Sequence, residues 1–287
     1  MKKMFIGLIS LQLCAVVVFA ATTVNSTHKY AYGANTGWIN ARGDDTHGAV
    51  IGRDYCSGYI YSANCGWISL GAGTPANGYA YANAAAGDYG INHDGHGNLS
   101  GYAYGANIGW INFEQTHGKP QVDLETGRLS GSIWSANTGW ISLSNAQAFV
   151  QTDSLDAGPD SDGDSIADAW EYRQTGNLST LSASGDADHD GSPDKDEYLA
   201  GTNPQDSADK LIITDMEASG STNTVTWTVK TTRRYTLMTT DALTTNTVWT
   251  AGGASFIPPS EPQATVTLTG INATNHFYAI KAELPLE

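Results

Sequence analysis

From residue 22 to about 150, apolar and polar residues alternate in runs too short for a helix, and the runs recur as a phrase. It reads Tyr30-Ala31-Tyr32-Gly33-Ala34-Asn35-Thr36-Gly37-Trp38-Ile39-Asn40, then Tyr59-Ile60-Tyr61-Ser62-Ala63-Asn64-Cys65-Gly66-Trp67-Ile68-Ser69, then Tyr102-Ala103-Tyr104-Gly105-Ala106-Asn107-Ile108-Gly109-Trp110-Ile111-Asn112, and last Ser132-Ile133-Trp134-Ser135-Ala136-Asn137-Thr138-Gly139-Trp140-Ile141-Ser142. Period-two alternation predicts strands. The Ala-Asn-x-Gly between two runs supplies residues that tolerate the left-handed backbone a tight turn needs. Each phrase is therefore expected to be a hairpin. A fifth copy begins at Tyr79-Ala80-Tyr81 but lacks the Gly-Trp-Ile ending. A further strand and turn precede two copies, over 91–101 and 122–131, so the repeat reads as a three-stranded meander of about 25–30 residues.

Alternation leaves open which face is buried, because a one-residue slip exchanges the two. The expectation is that Trp38, Trp67, Trp110 and Trp140 fill the core, with Trp134, Tyr59, Tyr61, Tyr102 and Tyr104 on an exposed face. The alternative is an outward aromatic platform on which sugar rings stack.

The alternation stops at an acidic stretch, where a different pattern appears twice. Residues 160–171 (DSDGDSIADAWE) and 186–197 (DADHDGSPDKDE) each place carboxylates at loop positions 1, 3, 5, 9 and 12. A calcium ion takes six to eight oxygens from alternate residues of a tight loop, a backbone carbonyl at position 7 and a bidentate Glu at position 12. The candidate ligands are Asp160, Asp162, Asp164, the Ile166 carbonyl, Asp168 and Glu171 for one ion, and Asp186, Asp188, Asp190, the Ser192 carbonyl, Asp194 and Glu197 for the other. Position 6 turns through a conformation that suits glycine. It is Gly191 in the second loop and Ser165 in the first, so the first is expected to bind more weakly. Gly158-Pro159 and Ser182-Ala183-Ser184-Gly185 precede the loops, which leaves only an exiting helix for each: half EF-hands. With the terminal Glu-Tyr-Leu-Ala-Gly-Thr-Asn-Pro (197–204), the unit resembles the thrombospondin type 3 and, more weakly, dockerin-like calcium repeats of secreted bacterial proteins. That resemblance implies the same two ligand sets. The aromatic repeats are similar to those of exported bacterial surface proteins, a likeness that transfers no catalytic residues.

From Leu211 the alternation returns in Thr- and Val-rich runs, 211–214, 224–229, 235–239, 264–268 and 276–281, which predict a small β-sandwich. Its Trp227, Tyr235, Trp249 and Phe277-Tyr278 resemble fibronectin-like terminal modules. The fold expected is mainly β: residues 21–152 a repeat β-sheet domain, 153–209 a half-EF-hand calcium connector with short helices, and 210–287 a C-terminal β-sandwich. Residues 1–20, with Lys2-Lys3, an apolar run and Val18-Phe19-Ala20, read as a bacterial-type secretory signal. The run is short for a membrane span and no second follows, so no transmembrane anchor is expected.

Composition narrows the function. Net charge is −15, and 15 of the 29 acidic residues fall within 153–209. No basic face offers nucleic acid an electrostatic footprint. After signal removal Cys56 and Cys65 remain, an even pair in an oxidising compartment. In a simple hairpin they stand roughly 17 Å apart, beyond the ~7 Å a disulfide spans, so a bridge requires a bend. His93-Asp94-Gly95-His96 reads as a polar turn, and no nucleophile elbow, zinc-protease helix or phosphate loop is present. The expectation is a secreted, extracellular or cell-surface protein with two Ca2+ sites, structural or adhesive and not an enzyme, whose partner is a cell-surface or matrix polysaccharide or protein. The alternative function is carbohydrate binding through the aromatic repeats.

Overall fold

The computed structural model describes residues 22–270 and 276–287; the secretory-signal reading of residues 1–20 lies outside the described residues. The first unit comprises β1 (Val24–Gly33), β2 (Gly37–Asn40), β3 (Tyr59–Ser62), β4 (Gly66–Ser69), β5 (Ile91–His93), β6 (Leu99–Gly105), β7 (Gly109–Phe113), β8 (Gln121–Val122), β9 (Leu129–Ser130), β10 (Ser132–Ser135), β11 (Gly139–Ser142) and β12 (Val150–Thr152).

The four phrases are the hairpins β1–β2, β3–β4, β6–β7 and β10–β11, in one register: Tyr32 faces Trp38, Tyr61 faces Trp67, Tyr104 faces Trp110 and Trp134 faces Trp140. Each turn closes on a glycine at positive φ, between 68° and 82° for Gly37, Gly66, Gly109 and Gly139, a conformation that penalises any Cβ. Neighbouring hairpins pair through Ile39↔Ser62, Ile68↔Gly105 and Ile111↔Ser135, and Gly33↔Ile141 joins the last hairpin to the first. The sheet therefore closes on itself as an eight-stranded barrel, which leaves no edge in the ring. The expectation was a repeat β-sheet domain of three-stranded meanders, to which the structure adds closure. Among the described residues only the third hairpin gains a third ladder strand before it, β5, while β8 and β9 pair with each other.

Closure reverses the assignment of faces. Ile39, Ile68, Ile111 and Ile141 are fully buried inside, with Ala31, Ile60, Ala103 and Ile133 beside them. Trp38, Trp67, Trp110 and Trp140 are outside, 48%, 47%, 46% and 44% exposed, so the expected Trp core is wrong. Trp134, Tyr59, Tyr61, Tyr102 and Tyr104 are also outside, as expected. The physical reason is width. Eight strands leave an interior that side chains just fill, and Gly33 and Gly105 occupy it where even a Cβ would meet Ile141 or Ile108 at about 3.0 Å. Isoleucine opposite alanine in two hairpins and opposite isoleucine in the other two fits that space, and an indole does not.

A ring of amides seals the turn end. Asn64 Nδ2 donates to the Thr36 carbonyl (3.2 Å), Asn107 to Cys65 (3.1 Å), Asn137 to Ile108 (3.0 Å) and Asn35 to Thr138 (2.9 Å). Every hairpin thus clasps the one before it around the circle. The decayed copy at 79–81 forms no strand; Tyr81 is buried against Gly71 and Gly90 instead. Cys56 and Cys65 are both buried and free.

Two helices follow, α1 (Asp168–Thr175) and α2 (Asp194–Ala200), each ended by a left-handed glycine, Gly176 or Gly201. The last unit has β13 (Ile213–Ser219), β14 (Thr222–Thr228), β15 (Arg234–Thr240), β16 (Thr250–Ala251), β17 (Gln263–Thr269) and β18 (Phe277–Glu283). Sheets β13-β14-β17 and β16-β15-β18 close over Val225, Trp227, Tyr235, Leu237 and Leu268, a β-sandwich as the alternation predicts. Only the two-residue β16 lacks a sequence counterpart.

Candidate metal centre

The acidic stretches fold as two loops, each leading into a helix, with no helix before either. In the first, Asp160 turns its carboxylate back on the loop. Its Oδ1 accepts from the amides of Gly163 (2.8 Å) and Asp164 (3.2 Å), and its Oδ2 from Ser165 (3.0 Å). In the second, Asp186 accepts from Asp190 (3.1 Å) and Gly191 (3.0 Å). Asp164 and Asp190 accept from the amides two residues on, Ile166 (2.8 Å) and Ser192 (2.7 Å). These short bonds curl alternate carboxylates inward, and one oxygen from each of Asp160, Asp162 and Asp164 lies within 4.8 Å of the others, as for Asp186, Asp188 and Asp190.

An acidic cluster alone is no evidence of a metal. The glutamates at position 12 add an independent observation. Glu171 is fully buried with neither carboxylate oxygen hydrogen-bonded; Glu197 is 1% exposed and its Oε2 has no partner. Asp164 Oδ2 and Asp188 Oδ2 are buried and without a hydrogen bond too, and Asp190 Oδ2, also buried, has only the Lys210 ammonium 3.9 Å away. Burying charge without a partner is costly, and burial first, then the neighbouring aspartates, push both glutamate carboxyls up to about 7. A hard divalent cation would supply what these oxygens lack. The residues present fit Ca2+, with the Ile166 and Ser192 carbonyls at position 7.

Asp168 and Asp194, at position 9, are used differently. Asp168 accepts from the backbone amide (2.7 Å) and hydroxyl (2.5 Å) of Ser161, and Asp194 from the amides of Ala187 (2.9 Å) and Ser182 (3.0 Å). Both tie the start of the loop to the start of the helix, a bracing contact made by the same carboxylates the spacing offers as ligands. Sequence reasoning also missed Thr202, whose hydroxyl holds Glu197 Oε1 at 3.1 Å.

The glycine argument for a weaker first site does not separate the loops. Each has two left-handed residues: Gly163 (78°) and Ser165 (73°) in the first, His189 (64°) and Gly191 (95°) in the second. Each therefore carries one non-glycine residue in that region.

The connector is wedged between its neighbours. Ile166, Ala167, Trp170, Leu181 and Tyr198 form a small buried cluster that borrows Leu284 from the sandwich end of the chain. Arg173 on α1 pairs with Asp54 of the barrel. Tyr198, next to Glu197, accepts from Arg53 of the barrel at its hydroxyl (3.2 Å) and from Arg233 of the sandwich at its carbonyl (2.8 Å). The residues beside both position-12 glutamates thus reach across domain boundaries.

Comparison with known proteins returns no matching family model, no matching curated protein and no matching solved structure. Among the described residues no helix is long and apolar enough to cross a membrane.

Proposed function

We infer that the chain is an exported, extracellular or cell-surface protein, structural or adhesive and non-catalytic, in which two calcium ions make the connector a rigid brace between barrel and sandwich. One observation carries this reading: the buried, unpartnered carboxylate oxygens of Glu171 and Glu197 beside inward-turned aspartate triads. Export suits such sites, because extracellular modules work with dissociation constants around 10⁻⁴–10⁻³ M. Calorimetric titration of the full chain is expected to show two calcium-binding events, with far weaker heat from magnesium, whose octahedron is tighter. Glu197→Gln and Glu171→Gln should each remove one event. Absence of calcium heat, or equal heat from magnesium, would defeat the reading.

A second reading, carbohydrate binding, gains from the reversal of the barrel faces. Tyr30, Tyr32 and Trp38 and their counterparts in the other hairpins form an outward aromatic girdle, the kind of surface on which sugar rings stack.

A further inference from the structure

We propose that the side of the barrel between its second and third hairpins binds a neutral polysaccharide, whose pyranose rings lie against Trp67, Tyr104 and Tyr89. The proposal deepens the adhesive reading by naming the class of partner and the place that holds it.

The girdle runs around the whole barrel, but here it acquires walls. Residues 70–98 are the longest connection between hairpins, and within them Tyr89 is placed against the strands' own aromatics Tyr104 and Trp110. Tyr89 stands nearly perpendicular to Trp110 (centroids 5.0 Å apart, 84°) and to Tyr104 (6.4 Å, 71°). Its carbonyl accepts from the Ala72 amide at 2.8 Å, and the following Gly90 lies so close to the Tyr81 ring that a Cβ would sit 2.2 Å from it. The ridge is therefore fixed from below. On one side of it runs a groove of about 690 Å3, with Trp67 and Tyr59 facing Tyr89 and Tyr104. On the other side lies a second groove of about 370 Å3, lined by Tyr102, Trp110 and the 83–86 loop.

The chemistry of these walls selects the ligand. Aromatic faces complement the apolar C–H face of a pyranose ring, and Thr46 and Ser57 line the larger groove with hydroxyls that can meet those of a sugar. The larger groove is within the ~300–1,000 Å3 of ordinary ligand sites. Its aromatics remain roughly half exposed, however, as suits a chain lying along the surface more than a small molecule enclosed by it. Neither groove is lined by Lys or Arg, and His47 is the one basic side chain on the larger, so an anionic polymer would find no fixed counter-charge. A bilayer is a poor match, since the hairpin registers pair four or five residues where a spanning strand needs about 9–11.

The test is co-sedimentation of the full chain, in millimolar calcium, with suspended cellulose, chitin, β-1,3-glucan and mannan, and with calcium alginate gel as the anionic comparison. Retention is expected on at least one neutral polymer and not on alginate. Trp67→Ala and Tyr89→Ala should weaken retention at least tenfold with unchanged circular dichroism, while Tyr89→Phe, which keeps the ring, and Val248→Ala on the sandwich retain it. No retention on any neutral polymer would overturn the proposal. So would equal loss in Trp140→Ala, on the opposite side of the barrel, or a self-associated wild type that Trp67→Ala turns monomeric, which would give the surface to a second copy. Calcium heat measured on the same samples separates failure of this site from failure of the calcium brace.

Discussion

The barrel buries a continuous apolar cluster running from Val24 to Leu155, whereas the buried apolar cluster of the connector has six members, one of them borrowed, beside two rings of carboxylates with unsatisfied oxygens. Apolar burial stabilises wherever the chain folds in water. Clustered carboxylates oppose folding until a cation arrives, and then the free energy of binding becomes free energy of folding. On the proposed reading the difference divides stability in this molecule: barrel and sandwich depend on their own side chains, and the joint between them would depend on the cation in solution.

Removing calcium should give the largest effect. At a hundredfold excess over its dissociation constant each ion contributes about 2.7 kcal/mol, so a chelator should abolish amide-exchange protection across 160–202 while leaving the Ile39, Ile68, Ile111 and Ile141 strands protected. The pH dependence sharpens the contrast. In calcium-free protein the Glu171 and Glu197 carboxyls are raised to about 7, so the folded connector holds protons that the unfolded chain has released. Its stability is then greatest below the ordinary glutamate pKa, falls as pH rises toward 7, and is level above that. With calcium bound the trend should reverse, because protons compete with the ion. Uniform loss of protection through barrel and connector would erase the distinction.

The next effect lies within the barrel, between adjacent residues. Ile111→Ala removes a fully buried side chain and should cost about 2–5 kcal/mol. Trp110→Ala removes a ring that packs on Tyr102, Tyr104 and Tyr89 but is 46% exposed, and should cost about 1 kcal/mol. Chemical denaturation measures both, and equal costs would mean the indole is as structural as the isoleucine. This pair also marks the limit of what the sequence discloses. The two acidic loops and their exiting helices are legible because the spacing is complete within twelve residues and needs no knowledge of the rest of the fold. Hairpins are legible for the same reason: turn and alternation are local. The buried face is not, because it depends on Gly33 meeting Ile141 across more than a hundred residues. A signal was present in the small residues. Ala31, Gly33, Ala103 and Gly105 share a face with the isoleucines, and a face that small suits a narrow interior. The bracing duty of Asp168 and Asp194 was hidden too, since at position 9 a carboxylate on a loop amide and one on an ion read alike.

The smallest effect compares the two loops. Ser165 at φ 73° and His189 at φ 64° occupy left-handed backbone where a Cβ is crowded, at a cost of about 1–2 kcal/mol for an ordinary side chain. Glycine relieves that crowding but returns conformational freedom to the unfolded chain, which offsets roughly 0.5–1 kcal/mol. Ser165→Gly and His189→Gly should therefore each tighten their own site, by about 0.5–1 kcal/mol net, or roughly two- to fivefold in dissociation constant. The gain should be smaller at His189, because histidine is among the residues that tolerate this region better than most. Calcium titration of the two variants resolves such changes. If Ser165→Gly tightens the first site and His189→Gly does nothing, the second loop is already relaxed and the earlier ranking, with the first site weaker, is restored on new grounds. If neither changes affinity, the left-handed turns are imposed equally on the calcium-free loop, and the glycine pattern bears on the stability of the connector and not on its hold on the ion.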